Sequence, residues 1–585
     1  MDTTQVPPLQ VGIVGGGIAG LYTALLLRRE GHQVHIFEGT DRVGGRVRTH
    51  YFGHERNQYY EAGAMRIPNS GLHRIVFDLI DYLNNNNNLP VDKRIETINY
   101  VLHHPGNQVY INSFRPQVNI NAVSPALVGW DVPADFRNLT AQELLDQALA
   151  GLIDGLNEDN FEQIFLDIIE RFDSYSFRFY CESVLNWPQQ VIDFVELTMS
   201  QTNQFTLSVP EIVMQNLDFG QAEWKTIDQG MSRLPNAMAH LVGYDNITFG
   251  ARVTQLEVTS RGRVNVTASG YKGTVKVAFD RVVLAIPPAA LRMINDRPRW
   301  GVAKEMAIRG IHFQPLYKMG LRFKTRFWER VDYNKSLGGQ STTDLPIRWV
   351  VFPSNGIEEE GPGVLLVYAW MTDASNWVPL TPPERRQLAL QCIAELYQGR
   401  RDGDGEIDVY SLLIETSDAV WSESTATGDA MFLPGQFKAH FNEACRREGN
   451  IYFAGEHLSY HHTWISGAAD SALKVVRDML GREDLGPLDN HFPPTPPTPP
   501  TPPTNTGRSW LGFTFPFGTS VPVKGIVPVR GIIPVRGIQG PSHQQPVNEE
   551  SDTPGESLES PYTFPDDLGM SGEVLGPLTT NLTGV

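Results

Sequence analysis

Hydrophobic runs and glycines alternate in an informative way at the start of the chain. Val11 to Glu38 reads VGIVGGGIAGLYTALLLRREGHQVHIFE. An apolar run ends at Val14, an amphipathic stretch follows, and a second apolar run closes on Glu38. That order predicts strand, helix, strand. The glycines of the first turn have separate physical roles. Gly15 permits the tight turn, Gly17 lets a pyrophosphate approach the backbone, and Gly20 lets helix and strand pack closely. The helix N-terminus then offers free N–H groups and a positive dipole end to phosphates. Glu38 stands 18 residues past Gly20, where a carboxylate accepts from both ribose hydroxyls and repels a 2′-phosphate, which argues against NADP.

The pattern changes along the chain. Helical periodicity dominates Thr140 to Met199, and Thr140 with Glu143 and Thr381 with Glu384 have capping-box spacing. Alternating runs such as RVTQLEVTS and RVNVTASG predict strands between Tyr244 and Ile286, and FDRVVLAIPP reads as a buried strand ending at a proline turn. Asn84 to Asn88 is expected to be a loop, and so is SVPEIVMQNLDFGQAEW (Ser208 to Trp224). The acids of the latter, Glu211, Asp218 and Glu223, are read as solvated charges or as facing a cavity. Ile451 to Leu480 again reads as a strand, a Gly-Glu pair, a loop and a long helix. Beyond Arg482 the character differs. Pro493 to Thr504 is four copies of PPT, a polyproline II pattern, and Val521 to Ile538 repeats VPVKGI, VPVRGI and IPVRGI. Proline in each repeat opposes helix and sheet, so this tail is expected to be disordered, either solubilising or docking an unknown protein through its basic hexads.

Composition narrows the classes. A chain of 585 residues has room for several domains and a large core. A net charge of −18 argues against nucleic acid and anionic membrane as partners. Three cysteines (Cys181, Cys392, Cys445) show neither disulfide nor metal spacing. His457 and His461, four apart and followed by His462, invite a metal reading, but no cysteine or carboxylate completes a ligand set, so no metal is expected. The N-terminal residues lack a signal-peptide pattern, no apolar run is long enough for a membrane span, and the C-terminus is not SKL. A cytoplasmic location is the default expectation, in which the sequons at Asn138, Asn246, Asn265, Asn334 and Asn581 are chance matches.

Asp41 to Thr49, DRVGGRVRT, brings a second glycine pair (Gly44, Gly45) and Arg46, a phosphate partner, directly after the strand–helix–strand unit. This RxGGRxxT segment, together with Ile451 to Leu480, resembles the flavoprotein amine oxidase family. The resemblance implies a non-covalent FAD site assembled from distant segments, since no cysteine follows Cys445 to attach flavin covalently. It carries cofactor contacts onto Gly15, Gly17, Ile18, Ala19, Gly20, Glu38, Gly39, Arg42, Gly45 and Arg46. It also carries them onto Gly63, Ala64, Met65, Arg66, Val253, Gly455, Glu456, Trp464 and Ile465.

Within that family the sequence is most similar to L-amino acid oxidases. GAMRIP around Arg66 and GGQSTTDLP (Gly338 to Pro346) carry this finer likeness. It implies that Arg66 clamps a substrate carboxylate with its two-pronged guanidinium, helped by the Tyr368 hydroxyl. It implies that Lys318, in LYKMG before Phe327 and Trp328, holds a water at the flavin. Trp464 would line the substrate cavity and the Thr463 backbone would accept from the substrate amine, although the family often has glycine where this chain has Thr463.

The fold expected is α/β (α+β), with a Rossmann-like FAD-binding domain, a mixed-sheet substrate domain and a helical insertion. The expected boundaries are 8–68, 232–305 and 436–482 for the first, 69–130 and 306–435 for the second, 131–231 for the helical part and 483–585 for the tail. The expected activity is oxidation of L-amino acids with O2, in a homodimer, as is common in the family it resembles. Oxidation of amines or polyamines, and a flavoprotein whose tail recruits a partner, are the alternatives.

Overall fold

The opening strand, Gln10–Val14, lies at the centre of a five-stranded parallel sheet. The computed structural model describes residues 7–153, 156, 160–220, 223–271, 273–403, 405–423 and 427–489. The proline-rich and hexad stretches of the tail lie outside the described residues. The sheet order is Ile451–Phe453, Arg281–Leu284, Gln10–Val14, Gln33–Phe37, Ile247–Thr248, so three distant parts of the chain build it. Val11 pairs with Val34 on one side and Arg281 on the other. The expected first turn forms. Gly15 has φ +104°, and a Cβ there would lie 2.4 Å from the Ala285 carbonyl oxygen. A Cβ on Gly20 would lie 2.0 Å from the Gly15 carbonyl oxygen, whereas one on Gly17 would meet nothing within 4 Å.

Helix Ile18–Arg29 departs from its amphipathic reading, because Ile18 to Leu27 are all buried. It lies under the sheet and is covered by helices Arg233–Val242 and Ile465–Leu480, which leaves only its end for solvent. Strands Ala251–Val258, Val264–Gly270 and Gly273–Phe279 form an antiparallel meander where alternation predicted strands. A six-stranded sheet follows in the order Leu413–Val420, Leu316–Phe323, Gly363–Trp370, Trp349–Val351, Gln340–Thr343, Val109–Tyr110, antiparallel except for its last pair. In it Lys318 and Tyr368 stand directly opposite, which puts both side chains on one face.

Among the described residues, five α-helices occupy most of Ala141 to Phe219. Thr140 and Glu143 form the predicted reciprocal cap, and so do Thr381 and Glu384. The expected loop after Ser208 is a correction: Val209–Phe219 is a helix, with Ser208 as N-cap and Pro210 in its first turn. Two of the three acids of this stretch are not solvated. Glu211 and Asp218 are buried, and only Glu223 is at the surface, accepting from Asn69 at 2.9 Å. Glu211 Oε2 accepts from the Phe432 backbone N–H at 2.8 Å and lies 2.5 Å from His462 Nε2. Asp218 Oδ1 lies 2.8 Å from His73 Nε2. No helix among the described residues is long and apolar enough to cross a membrane.

Two outcomes follow for stability. Gly20→Ala forces a Cβ against backbone and lowers unfolding free energy by about 1–3 kcal/mol, while Gly17→Ala leaves the apoprotein's urea midpoint unchanged. Burial opposes charge on His462, but the Glu211 carboxylate outweighs it and pushes the pKa up to about 9. A raised histidine pKa stabilises fully below the ordinary value near 6.5 and ceases to do so as pH rises through about 9. The stability difference between wild type and the Glu211→Gln, His462→Gln double variant therefore shrinks from pH 6.5 to 9, by on the order of 3 kcal/mol. Urea titrations at several pH values check this, and a constant difference contradicts it.

Candidate functional site

The C-terminal ends of four parallel strands open onto a cavity of about 930 Å³. Val14, Phe37, Ala285 and Gly455 mark those ends, and Lys318, Tyr368 and Trp370 close the cavity from the six-stranded sheet. Ligands of open α/β sheets bind at this edge.

The two glycine turns meet here. The Gly44 N–H donates to the Gly16 carbonyl at 2.9 Å, and a Cβ on Gly45 would come no nearer than 3.5 Å to anything, Gly17 Cα being first. The turns thus form a backbone-lined trough without side chains. Glu38 Oε2 accepts from the Gly16 N–H at 2.7 Å, and Oε1 accepts from the Thr40 N–H at 2.8 Å and its hydroxyl at 2.7 Å. Arg42 Nη2 donates to the Gly45 carbonyl at 2.7 Å and braces the second turn. Ile18, Ala19, Gly39, Gly63, Ala64, Met65 and Val253 also line the cavity. Gly63 brings backbone close to backbone, since a Cβ there would lie 1.8 Å from the Arg46 carbonyl oxygen. Gly20 alone among the residues expected to touch the cofactor is not on the wall, because its contact is with Gly15.

The C-terminal segment reaches the same space. Arg46 Nη1 donates to Glu456 Oε1 at 2.7 Å and to the Gly428 carbonyl at 2.8 Å, so the arginine expected at phosphate joins the two segments. Burial raises the Glu456 pKa, but Arg46 and the other partners outweigh it and leave the carboxyl below its usual range. The residues fit FAD. The trough admits a pyrophosphate, Glu38 lies beside it, Ile465 opens a 16-residue helix onto the cavity, and the volume suits a large ligand. None of the three cysteines lines the cavity, which offers no thiol for covalent attachment.

A second group of residues gathers around Arg66. This side chain is 5% exposed, and its Nη1 has no hydrogen-bond partner. The guanidinium carbon lies 4.8 Å from the ring centre of Phe219, 5.5 Å from that of Trp224 and 5.7 Å from that of Tyr100. An aromatic frame favours the cation but leaves hydrogen-bonding capacity unused. Lys318 Nζ donates to the Gly63 carbonyl at 2.5 Å and lies 4.4 Å over the Tyr368 ring. Burial, aided by Arg66 and opposed by Glu61 and Asp429, pushes its pKa down to about 7. Tyr368 packs between Trp349 and Trp370, and burial holds its hydroxyl well above the usual phenol range. Thr463 donates its N–H to Glu456 Oε2 at 2.8 Å and has φ +73°. Trp464 sits 5.8 Å from Trp224, 5.9 Å from Phe219 and 5.2 Å from His73, measured between ring centres.

Sequence reasoning missed the frame of Tyr100, Phe219 and Trp224, and it missed Gln215 and Asp429 on the cavity wall. The Ser208 to Glu211 cap spacing was the available signal for the helix that presents Gln215 and Phe219. His457 packs against Phe313 and His461 against Phe161.

The L-amino-acid oxidase of Echis ocellatus is 27% identical over 476 residues, covering 81% of this chain and 89% of the relative. That of Crotalus adamanteus is 27% identical over 482 residues, covering 82% and 88%. Among solved structures, wild-type putrescine oxidase bound to putrescine superposes with a TM-score of 0.60 at 20% identity, over 81% of this chain and 100% of the other. Cyclohexylamine oxidase from Brevibacterium oxydans IH-35A gives 0.58 at 18% identity, over 82% and 100%. At such identities these two speak for the fold alone. Residues 18–480 match the model of the flavin containing amine oxidoreductases, and the chain belongs to that family.

Proposed function

We propose that this oxidoreductase is an L-amino-acid oxidase, converting an L-amino acid, O2 and water to a 2-oxo acid, ammonia and hydrogen peroxide. The observation that carries the reading is Arg66, a buried cation on the cavity wall with an unused donor. An amine substrate gives that fork nothing to bind, whereas a carboxylate accepts two parallel charge-assisted bonds from it. The L-amino-acid oxidases among the relatives point the same way.

FAD, the cofactor of this family, would when bound supply a hydride acceptor and the means of passing electrons to O2. The chain's own residues bind and orient. Arg66 and the Tyr368 hydroxyl hold the carboxylate and so fix the direction of Cα. The Thr463 carbonyl accepts from the amine, and Trp464 walls the side-chain end. Lys318, donating to the Gly63 carbonyl, has further N–H capacity to hold a water. These contacts make a three-point hold, which selects L over D. The substrate amine must be neutral, since an ammonium lacks the lone pair that assists loss of the Cα hydrogen. The imine product is hydrolysed by water.

Arg66→Ala removes two charge-assisted bonds and raises the Kd of an L-amino acid by roughly 100-fold in anaerobic flavin-bleaching titrations. If amines are the substrates, the same variant leaves their Kd within about threefold, and the reading fails. Gly17→Ala, whose Cβ meets no protein atom but narrows the trough, lowers the FAD retained after gel filtration. The absorbance ratio of flavin to protein measures that loss.

A further inference from the structure

Helix Val209–Phe219 carries two buried carboxylates, Glu211 and Asp218, which at seven residues apart share one face. Neither lines the cavity. Glu211 meets His462 at 2.5 Å, and Asp218 meets His73 Nε2 at 2.8 Å. The other nitrogen of His73 lies 2.8 Å from Ser466 Oγ. A carboxylate only accepts, so Asp218 accepts the Nε2–H of His73, whose ring is thereby held with Nδ1 against the Ser466 hydroxyl. Glu211, Asp218, His73, His462 and Ser466 are all at most 4% exposed.

His462 and Ser466 bracket Thr463 and Trp464, both of which line the cavity. The bracketed stretch is strained. Thr463 is β-branched, and its φ of +73° lies in the left-handed region, a conformation that costs about 1–3 kcal/mol and persists only where its surroundings over-determine it. The surroundings here are Glu456 on the Thr463 N–H, Glu211 on His462, and Asp218 through His73 on Ser466. The His73 ring also stands edge-on to Trp464 at 5.2 Å. The same helix ends in Phe219, which touches both the Arg66 guanidinium and the Trp464 indole. Buried polar pairs are weak stabilisers compared with apolar packing, so two carboxylate–histidine contacts on one helix are better explained by the geometry they impose.

We propose that Glu211 and Asp218 are positioning residues for the substrate end of the cavity: through His462 and the His73–Ser466 contact they hold Thr463 in its left-handed conformation and Trp464 against Phe219. The proposal rests on the proposed function only in taking this end of the cavity as the place where the oxidised molecule sits.

The test uses FAD-loaded full-length protein. Asp218→Asn and the Glu211→Gln, His462→Gln double variant, which keeps a neutral hydrogen-bonding pair, are titrated anaerobically with L-leucine and L-phenylalanine. The expected result is a Kd raised by about tenfold, with FAD content and limiting bleaching rate within about threefold of wild type. Adding Thr463→Gly to the double variant restores most of the lost affinity, because glycine adopts the left-handed conformation without support. An unchanged Kd overturns the proposal. So does a joint loss of affinity, FAD content and melting temperature that Thr463→Gly does not rescue, since that marks a purely structural role. If wild type is bleached by an amine and not by these amino acids, the substrate reading fails instead, and the same variants are compared with that amine. Hydrogen exchange of the peptide spanning Ser459 to Ala468 gives a substrate-free readout. It quickens in both variants and slows again with Thr463→Gly, and unchanged exchange counts against the proposal.

Discussion

The ion pair between Arg46 and Glu456 joins residues 410 positions apart at 2.7 Å, and the site depends on that junction. Arg46 follows the second glycine turn, and Glu456 follows the last strand of the parallel sheet. The sheet brings the two segments to one edge, because Arg281–Leu284 pairs with Gln10–Val14 on one side and with Ile451–Phe453 on the other. The pair then fixes the separation of the glycine trough from helix Ile465–Leu480. Glu456 extends the junction, since its second oxygen accepts from the Thr463 N–H. One carboxylate thus ties the second glycine turn to the Thr463–Trp464 stretch of the cavity wall.

Electrostatics around Arg66 sharpen the choice of substrate. Lys318 is pushed down to about 7 by burial, and burial likewise raises Glu61 to about 7 and Asp429 to about 6. These groups sit close to their titration points at neutral pH, whereas a guanidinium stays charged throughout. Arg66 brings such a guanidinium to this wall, buried within its frame of Tyr100, Phe219 and Trp224. A carboxylate entering the frame meets a cation that is already desolvated, which strengthens the contact.

What could be read from the sequence was local. Gly15, Gly17 and Gly20 act through their own backbone, so spacing alone indicates their roles; Gly15 takes φ +104°, a Cβ on Gly20 would meet the Gly15 carbonyl, and Gly17 has open space beside it. The two threonine caps were legible for the same reason. The fold followed, because strand–helix–strand order constrains a parallel sheet. The frame around Arg66 was hidden, since Tyr100, Phe219 and Trp224 come from separate segments. The acids of helix Val209–Phe219 were misread because their partners, His462 and His73, lie 251 and 145 residues away. The same limit explains helix Ile18–Arg29, whose polar-looking face is covered by two helices that no local pattern announces.

The central claim is that the cavity oxidises a molecule held by its carboxylate. The most direct measurement is an anaerobic titration of the purified FAD-loaded protein, following the oxidised-flavin absorbance. L-leucine, L-phenylalanine, L-lysine, L-glutamate, D-leucine, phenylethylamine and spermine are added separately. Rapid bleaching by L-amino acids, with none by D-leucine or the two amines, is the result the account predicts. Bleaching by phenylethylamine or spermine with none by any L-amino acid would contradict it.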